Sequence, residues 1–234
     1  MESIVIATIK SWNIKNALKF RKDWQDKYEV HLITDPKELS VGFLEEVKPS
    51  YVFFPHWSWI IPPEIYERFE CVVFHTADLP YGRGGSPLQN LIIRGVKWTK
   101  VSALRVDGGI DTGPIYLKKN VFIGLGSAEE IFMEISNLIF QEMIPEILEK
   151  RPKPQPQKGK VLEFRRRRPS ESELTPEIAK DLTQLYDFIR MLDGEGYPKA
   201  FIRLGKFKIL FSEVHFRADR LCGRFKIIEE KEED

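Results

Sequence analysis

The chain has 234 residues, 42% of them hydrophobic and 30% charged, with a formal net charge of +1. That length can bury a full core, and one large plus one small domain is the expected division. The composition is globular, the near-neutral charge supplies no long-range field for nucleic acid or acidic membrane, and no apolar run reaches the length of a membrane span.

Residues 4–9 read as a first strand, and the apolar run there is too short for a signal peptide. Residues 13–28 carry helical periodicity, with Ile14, Leu18, Trp24 and Tyr28 on or near one face. A strand at 29–34, a helix at 41–47, a strand at 51–54, a short helix at 65–69 and a strand at 71–74 follow. This alternation predicts an α/β fold: a Rossmann-like, mostly parallel sheet with helices on both faces. Residues 7–12 lack the glycine fingerprint of dinucleotide binders. Cys71 and Cys222 lie far apart and are expected to be reduced thiols of a cytoplasmic protein. No Cys/His spacing suggests zinc, so no metal is expected.

His75 ends the apolar run 71–74, at the strand end where open α/β sheets place ligands. A Pro/Gly-rich loop covers residues 79–85. Ser86-Pro87 then reads as an N-cap and first helical residue. A strand at 101–106 leads into Asp107-Gly108-Gly109-Ile110-Asp111-Thr112-Gly113, two acids in a glycine-rich turn. Ser127 to Glu130 has the form of a capping box, opening a helix that runs to about residue 150. Residues 151–160 are Pro-rich and read as an extended linker. Residues 161–234 form a second, β-rich unit: strands near 161–164, 200–204, 207–216 and 221–228, and a helix over 176–192. The acidic tail 229–234 is expected to fray.

Val73-Phe74-His75, Leu79-Pro80, Gly84-Gly85-Ser86-Pro87 and Ile110-Asp111-Thr112-Gly113 resemble, in order and spacing, the folate-dependent formyltransferase family. The family pattern is Asn-x-His-x-x-x-Leu-Pro, a loop closing on Gly-small-small-Pro, and Leu/Ile-Asp-x-Gly. The family's Asn is Val73 here. The resemblance implies N10-formyltetrahydrofolate as cosubstrate and His75 and Asp111 as the catalytic pair. Residues 55–62 are similar to the family loop that grips the pterin. That likeness implies a folate side built from Trp57, Ser58, Trp59 and Ile61, with Asp107, Gly108 and Gly109 from the turn. Tyr81, Arg83, Gly84, Gly85 and Ser86 fall on the acceptor side, with Arg165 and Arg166 as partners for a diphosphate. Residues 161–234 resemble the small barrel-like C-terminal domain of members acting on nucleotide sugars, through residues 165–169 and 197–201.

Formyl transfer to an amine needs a base for the amine proton, a donor for the developing oxyanion and a proton for the leaving nitrogen. Imidazole titrates near neutral pH and suits the proton work, and a carboxylate can orient it. Each residue also has a plainer reading. His75 alone would be a strand-end histidine bonded to a carbonyl. Asp107 would shape its turn, the tryptophans would cap the sheet edge, and Arg83 would be a solvated loop residue. In a strand at most two of Arg165 to Arg168 can converge. Val73 cannot donate, so protonated His75 itself, or Ser58, Thr76, Gln89 or Asn90, are candidates for the missing donor, worth ~2.7–4 kcal/mol in such sites.

Residues 160–234 hold sixteen Lys/Arg against fifteen Asp/Glu, whereas a domain gripping a polyanion should carry a basic excess. The expectation is therefore an N-formyltransferase acting on a nucleotide-linked amino sugar, such as a UDP-4-amino sugar of the pseudaminic-acid type. No nucleic-acid or membrane partner is expected, and a homodimer is left open. The alternatives are a methionyl-tRNA formyltransferase, a non-catalytic folate- or sugar-binding relative, and a formyltetrahydrofolate hydrolase.

Overall fold

The computed structural model describes residues 1–230; the rest of the acidic tail expected to fray lies outside the described residues. In chain order the elements are β1 (Glu2–Ala7), α1 (Ser11–Asp23), β2 (Tyr28–Ile33), α2 (Val41–Val47), β3 (Tyr51–Phe54), α3 (Pro63–Tyr66), β4 (Cys71–His75), β5 (Tyr81–Gly84) and α4 (Pro87–Ile92). They continue with β6 (Trp98–Arg105), β7 (Ile115–Phe122), α5 (Ala128–Leu138), α6 (Ile144–Lys150), β8 (Leu162–Phe164), α7 (Leu182–Met191), β9 (Ala200–Leu204), β10 (Phe207–Arg217) and β11 (Arg220–Glu229).

The fold is α/β. Six strands form one sheet in the order β2-β1-β3-β4-β6-β7. β1 pairs in parallel with β2 and β3, and β3 with β4, while β6 runs antiparallel to β4 with His75 opposite Ser102. β1 and β3 are near-continuous apolar runs because both of their faces are covered, as parallel strands between helix layers require. Val5, Ala7, Ile33, Leu44, Val52, Phe54, Ile65 and Cys71 form one buried cluster. Burial there, with the neighbouring Glu70 charge, pushes the Cys71 thiol up to about 12. Cys71 and Cys222 are both free thiols.

Several boundaries differ from expectation. The buried side of α1 is Trp12, Asn13, Ala17 and Phe20, not the Leu18 stripe; Leu18 is exposed. Tyr28 already belongs to β2. β7 was not anticipated, because its alternating residues sit between polar ones. α7 starts at 182, later than expected: the Asp181 side chain accepts the Gln184 N–H at 2.8 Å and caps it there. The capping box before α5 is present, with Glu130 N donating to Ser127 Oγ at 3.2 Å and Ser127 N to Glu130 Oε2 at 2.7 Å. The helix beyond it is interrupted by a π-helical turn, Ile139–Met143. Pro145 accounts for the interruption. It has no N–H to give, and its ring would strike the carbonyl of residue 141 in a regular helix.

The chain packs as two compact units whose segments alternate in sequence. One holds Met1–Gly84, Thr99–Val121 and Met133–Glu163; the other holds Gly85–Trp98, Phe122–Phe132 and the described residues from Phe164 onward. The Pro-rich stretch 151–160 is extended, but it is tied into the first unit: Ile115 and Gln155 exchange backbone hydrogen bonds at 2.7 and 2.8 Å. The second unit contains the three-stranded antiparallel sheet β11-β10-β9. There Arg190, only 2% exposed, pairs with Asp187 at 2.6 Å and donates to the carbonyls of Ile123 and Gly126. No helix of the described residues is long and apolar enough to cross a membrane.

Candidate active site

His75 is the last residue of β4 and 8% exposed. Its Nδ1 lies 3.3 Å from Asp111 Oδ2, and its Nε2 lies 2.6 Å from the carbonyl oxygen of Gly82. A carbonyl only accepts, so Nε2 carries a hydrogen; a carboxylate only accepts, so the Nδ1 contact is a hydrogen bond when that nitrogen is protonated too. Asp111 Oδ2 also accepts the Gly84 N–H at 2.9 Å. The strand-end histidine bonded to a carbonyl and the His75–Asp111 pair are thus present together.

The backbone around this pair is unusual. Asp111 has φ +54 and Gly84 φ +96. The first is uncommon for a side-chain-bearing residue and the second suits only glycine. A Cβ on Gly113 would lie 1.8 Å from Arg105 O, so the turn closes against β6 only with glycine there. Asp107 shapes the turn, accepting Gly109 N at 3.0 Å and Thr112 Oγ1 at 2.5 Å. Gly108 sits below the Tyr66 hydroxyl, 3.7 Å from where a Cβ would be.

The turn after His75 is held from β6 and β7. Ser102 Oγ donates to Ala77 O at 2.7 Å, and Lys118 Nζ donates to Leu79 O and to Asp78 Oδ1. Lys100 meets the other Asp78 oxygen at 3.0 Å. Burial pushes the Asp78 carboxyl up, but the two ammonium groups outweigh it and hold the group below its ordinary value.

Arg83 is not free in its loop. Its Nε and Nη2 both donate to Gln157 Oε1, at 3.1 and 2.8 Å, and Gln157 Nε2 donates to Asp111 O and Gly113 O, each at 2.8 Å. Nothing in the surrounding Pro-Gln-Lys-Gly sequence marks Gln157 as part of a site. Tyr81 stands 39% exposed on β5. In the loop after β3, Trp57 packs between Phe54 and Trp59, with ring centroids 5.7 and 5.1 Å away, and its buried Nε1 has no partner. Ser58 is exposed, Trp59 and Ile60 are 48% and 89% exposed, and Ile61 is buried in the core cluster. His56 rests edge-on against Trp12.

In the second unit, Gly85 N donates to Phe164 O at 3.0 Å. Ser86 stands at the N-cap of α4 with φ +50, yet its hydroxyl caps nothing; it accepts the Arg167 N–H at 3.2 Å. Asn90, a candidate oxyanion donor, spends its amide on the carbonyls of Gly85, Ser86 and Arg165. Gln89 is 1% exposed. Arg165 is exposed and ion-paired with Glu171 at 2.7 Å. Arg166 is exposed and takes part in no ion pair among the described residues. Burial lowers the guanidinium of Arg167, which lies over the Phe188 ring.

Comparison with known proteins gives the chain a family. A formyl transferase family profile matches residues 8–145, and a profile described as the methionyl-tRNA formyltransferase C-terminal domain matches residues 169–228. The chain belongs to the formyl transferase family. A solved structure of methionyl-tRNA formyltransferase from Clostridium thermocellum is 55% identical, with TM-score 0.95, over 98% of this chain and 100% of that one. The methionyl-tRNA formyltransferase of Thermodesulfovibrio yellowstonii is 33% identical over 124 residues, 50% of this chain but only 40% of that relative's length. A sugar N-formyltransferase from Shewanella shares the fold at TM-score 0.66, with 15% identity over 88% of this chain and 94% of that one.

These likenesses correct two expectations. The amino-sugar acceptor, with its nucleotide-sugar and pseudaminic-acid context, is overturned, because a relative 55% identical along nearly the whole chain is a methionyl-tRNA formyltransferase. The exclusion of nucleic acid falls with it. The balance summed over residues 160–234 hides a local basic excess. Lys150, Arg151, Lys153, Lys158, Lys160, Arg165, Arg166, Arg167 and Arg168 stand against Glu163 alone in residues 150–168. A polyanion responds to such local charge, not to a domain total.

Proposed function

We propose that this chain transfers a formyl group from N10-formyltetrahydrofolate to the α-amine of methionyl-tRNA. The observation that carries the reading is the 55% identity along nearly the whole chain to a methionyl-tRNA formyltransferase. The His75–Asp111 pair and the basic stretch 150–168 support it. We infer that residues 1–150 carry the chemistry, that 161–234 serve the acceptor, and that 151–160 connect them. A substrate of translation implies a cytoplasmic reaction.

In the proposed mechanism the amine nitrogen bonds to the formyl carbon, the bond from that carbon to N10 breaks, the amine loses a proton and N10 gains one. His75 Nε2 faces away from Asp111, and the Gly82 carbonyl now holds the position in front of it. Once the amine replaces that carbonyl, the neutral ring holds its single hydrogen on Nδ1, against Asp111, so Nε2 can accept the amine proton and Asp111 supports the resulting imidazolium. The same ring can return the proton to the leaving nitrogen. Trp57, Ser58, Trp59 and Ile61 with Asp107, Gly108 and Gly109 are the proposed folate side. The exposed ring of Trp59 and the unpartnered Trp57 Nε1 fit a flat heterocycle with acceptor atoms. Tyr81, Arg83, Gly84, Gly85, Ser86, Arg165 and Arg166 are the proposed acceptor side.

The test is incubation with formyltetrahydrofolate and charged initiator tRNA, followed by ester hydrolysis and mass analysis. Formylmethionine is the expected product, and UDP- and dTDP-linked 4-amino sugars should be recovered unchanged. Formylated sugar with unmodified methionine would overturn the proposal.

A further inference from the structure

We infer that Gln157 is a positioning residue for the His75–Asp111 pair, and that its single amide holds both backbone strips that contact the pair. The first strip is residues 82–84. Gly82 O meets His75 Nε2, and Gly84 N meets the Asp111 carboxylate. Arg83, between them, is fixed by two bonds to Gln157 Oε1. The second strip is residues 111–113, whose first and last carbonyls both accept from Gln157 Nε2 at 2.8 Å.

A glutamine amide has two N–H donors and two acceptor lone pairs, and all four are used here. The turn needs such support. Asp111 sits at φ +54, a left-handed conformation that costs free energy for a side-chain-bearing residue, less for Asp than for most, and that neighbouring bonds help to hold. If the turn relaxes, the Asp111 carboxylate swings with its backbone and the 3.3 Å contact to Nδ1 lengthens. Gln157 can act as a fixed strut because its own backbone is anchored two residues earlier, where Gln155 exchanges hydrogen bonds with Ile115 next to the same turn. The residue therefore works through Asp111, while Gly82 O marks the place the amine takes at Nε2; nothing requires Gln157 to touch substrate.

The kinetic arm of the test rests on the formyl-transfer reading, so it is paired with a measurement that does not. The full chain is labelled with ¹⁵N-histidine, and the His75 ring signals are assigned by their loss in His75→Gln. Gln157→Leu keeps the volume and removes all four bonds; Asp111→Asn is the reference. The His75 ring signals should move in Gln157→Leu in the direction they move in Asp111→Asn. Turnover should fall ~10–100-fold, the effect of displacing a catalytic group by up to about 1 Å. KM for both substrates should change less than ~3-fold, since ground-state binding is not involved. The double variant should be no slower than Asp111→Asn alone, because one unit is being removed twice.

His75 signals at their wild-type positions in a variant that melts like wild type would overturn the inference, whatever the rate. Wild-type protein that leaves methionyl-tRNA unformylated would defeat the functional reading, and the ring signals would still decide the role of Gln157. Should Gln157→Leu fail to fold, Gln157→Glu answers in its place, since it keeps the acceptor for Arg83 and loses only the donors to the turn. Failure of both to fold would make Gln157 a stability strut and overturn the positioning role.

Discussion

Two parts of the chain carry the polar residues that matter, and they are built in opposite ways. In the strips around His75 nearly every polar group is committed: Nδ1 and Nε2 of the ring, both Asp78 oxygens, the Arg83 fork, and the carbonyls of Ala77, Leu79, Asp111 and Gly113 all have partners. In residues 150–168 much of the charge is uncommitted. Lys153, Lys158, Lys160, Arg166 and Arg168 make no ion pair among the described residues, while Lys150, Arg151 and Arg165 pair with surface acids. Proton transfer requires groups fixed before the reaction, whereas attraction of a phosphate backbone requires only accessible charge. The first region should therefore respond sharply to the loss of one atom, and the second gradually to the loss of one charge.

The sharpest way to break this contrast is at the ring itself. His75→Asn should lower formylation of methionyl-tRNA by ~10²–10⁴-fold, the range for a lost general acid–base group. Single-turnover assays at saturating substrate would measure it. Binding of the tRNA, followed by filter retention, should stay close to wild type. A His75→Asn enzyme within a few-fold of wild type would remove the chemistry from this region. Val73→Asn probes the same region in the opposite direction. Val73 packs against the core cluster one alternation before His75, so a gain in turnover would mean that the family's donor was never replaced. An unchanged or lower rate would mean another group supplies it.

The fixed region was largely legible in the sequence, and the diffuse one was not. His75, Asp111 and the glycines stand out through the family resemblance, whose motifs are local because strand ends and tight turns constrain residue type. Gly113 must be glycine to clear Arg105 O, and Gly84 to reach φ +96. The supports were invisible: Gln157, Ser102 and Lys118 act through carbonyls 25 to 46 residues away, and no local pattern encodes such a partner. The strand–helix alternation gave the parallel sheet, but β6 running antiparallel to β4 depends on tertiary pairing alone. The acceptor was not legible, because charge summed over a domain hides a cluster within it.

The basic cluster sets the second test. Arg166→Ala and Arg168→Ala, singly and together, should weaken tRNA binding several-fold at low salt and leave turnover at saturating tRNA nearly intact. The dependence of log K on log salt should become shallower by about one for each phosphate no longer neutralised. Titration at several ionic strengths reads both effects. A drop in turnover with an unchanged salt slope would assign these arginines to the committed region instead.

The smallest effect expected lies where the two kinds of electrostatics meet, in the Asp78, Lys100 and Lys118 cluster. These charges are partly exposed, with the Asp78 side chain at 44% exposure, yet they anchor the turn that follows His75. The Asp78 carboxyl is held below its ordinary 3.8 by the two lysines, against the upward push of burial. A carboxyl with a lowered folded-state pKa contributes stability above its unfolded value, and that contribution is lost as pH falls through the folded value. Lys118→Met should therefore destabilise the protein at pH 7 by no more than about 1 kcal/mol, given the solvent screening of such pairs. The difference from wild type should begin to shrink as pH drops below 3.8 and vanish below the lowered folded-state value, where Asp78 is protonated in both proteins. Urea unfolding from pH 7 to pH 3 would trace it. A difference that stayed constant with pH would mean that Lys118 acts through its bond to Leu79 O and not through Asp78. The turn would then be held by a carbonyl contact alone, as it is at Ser102.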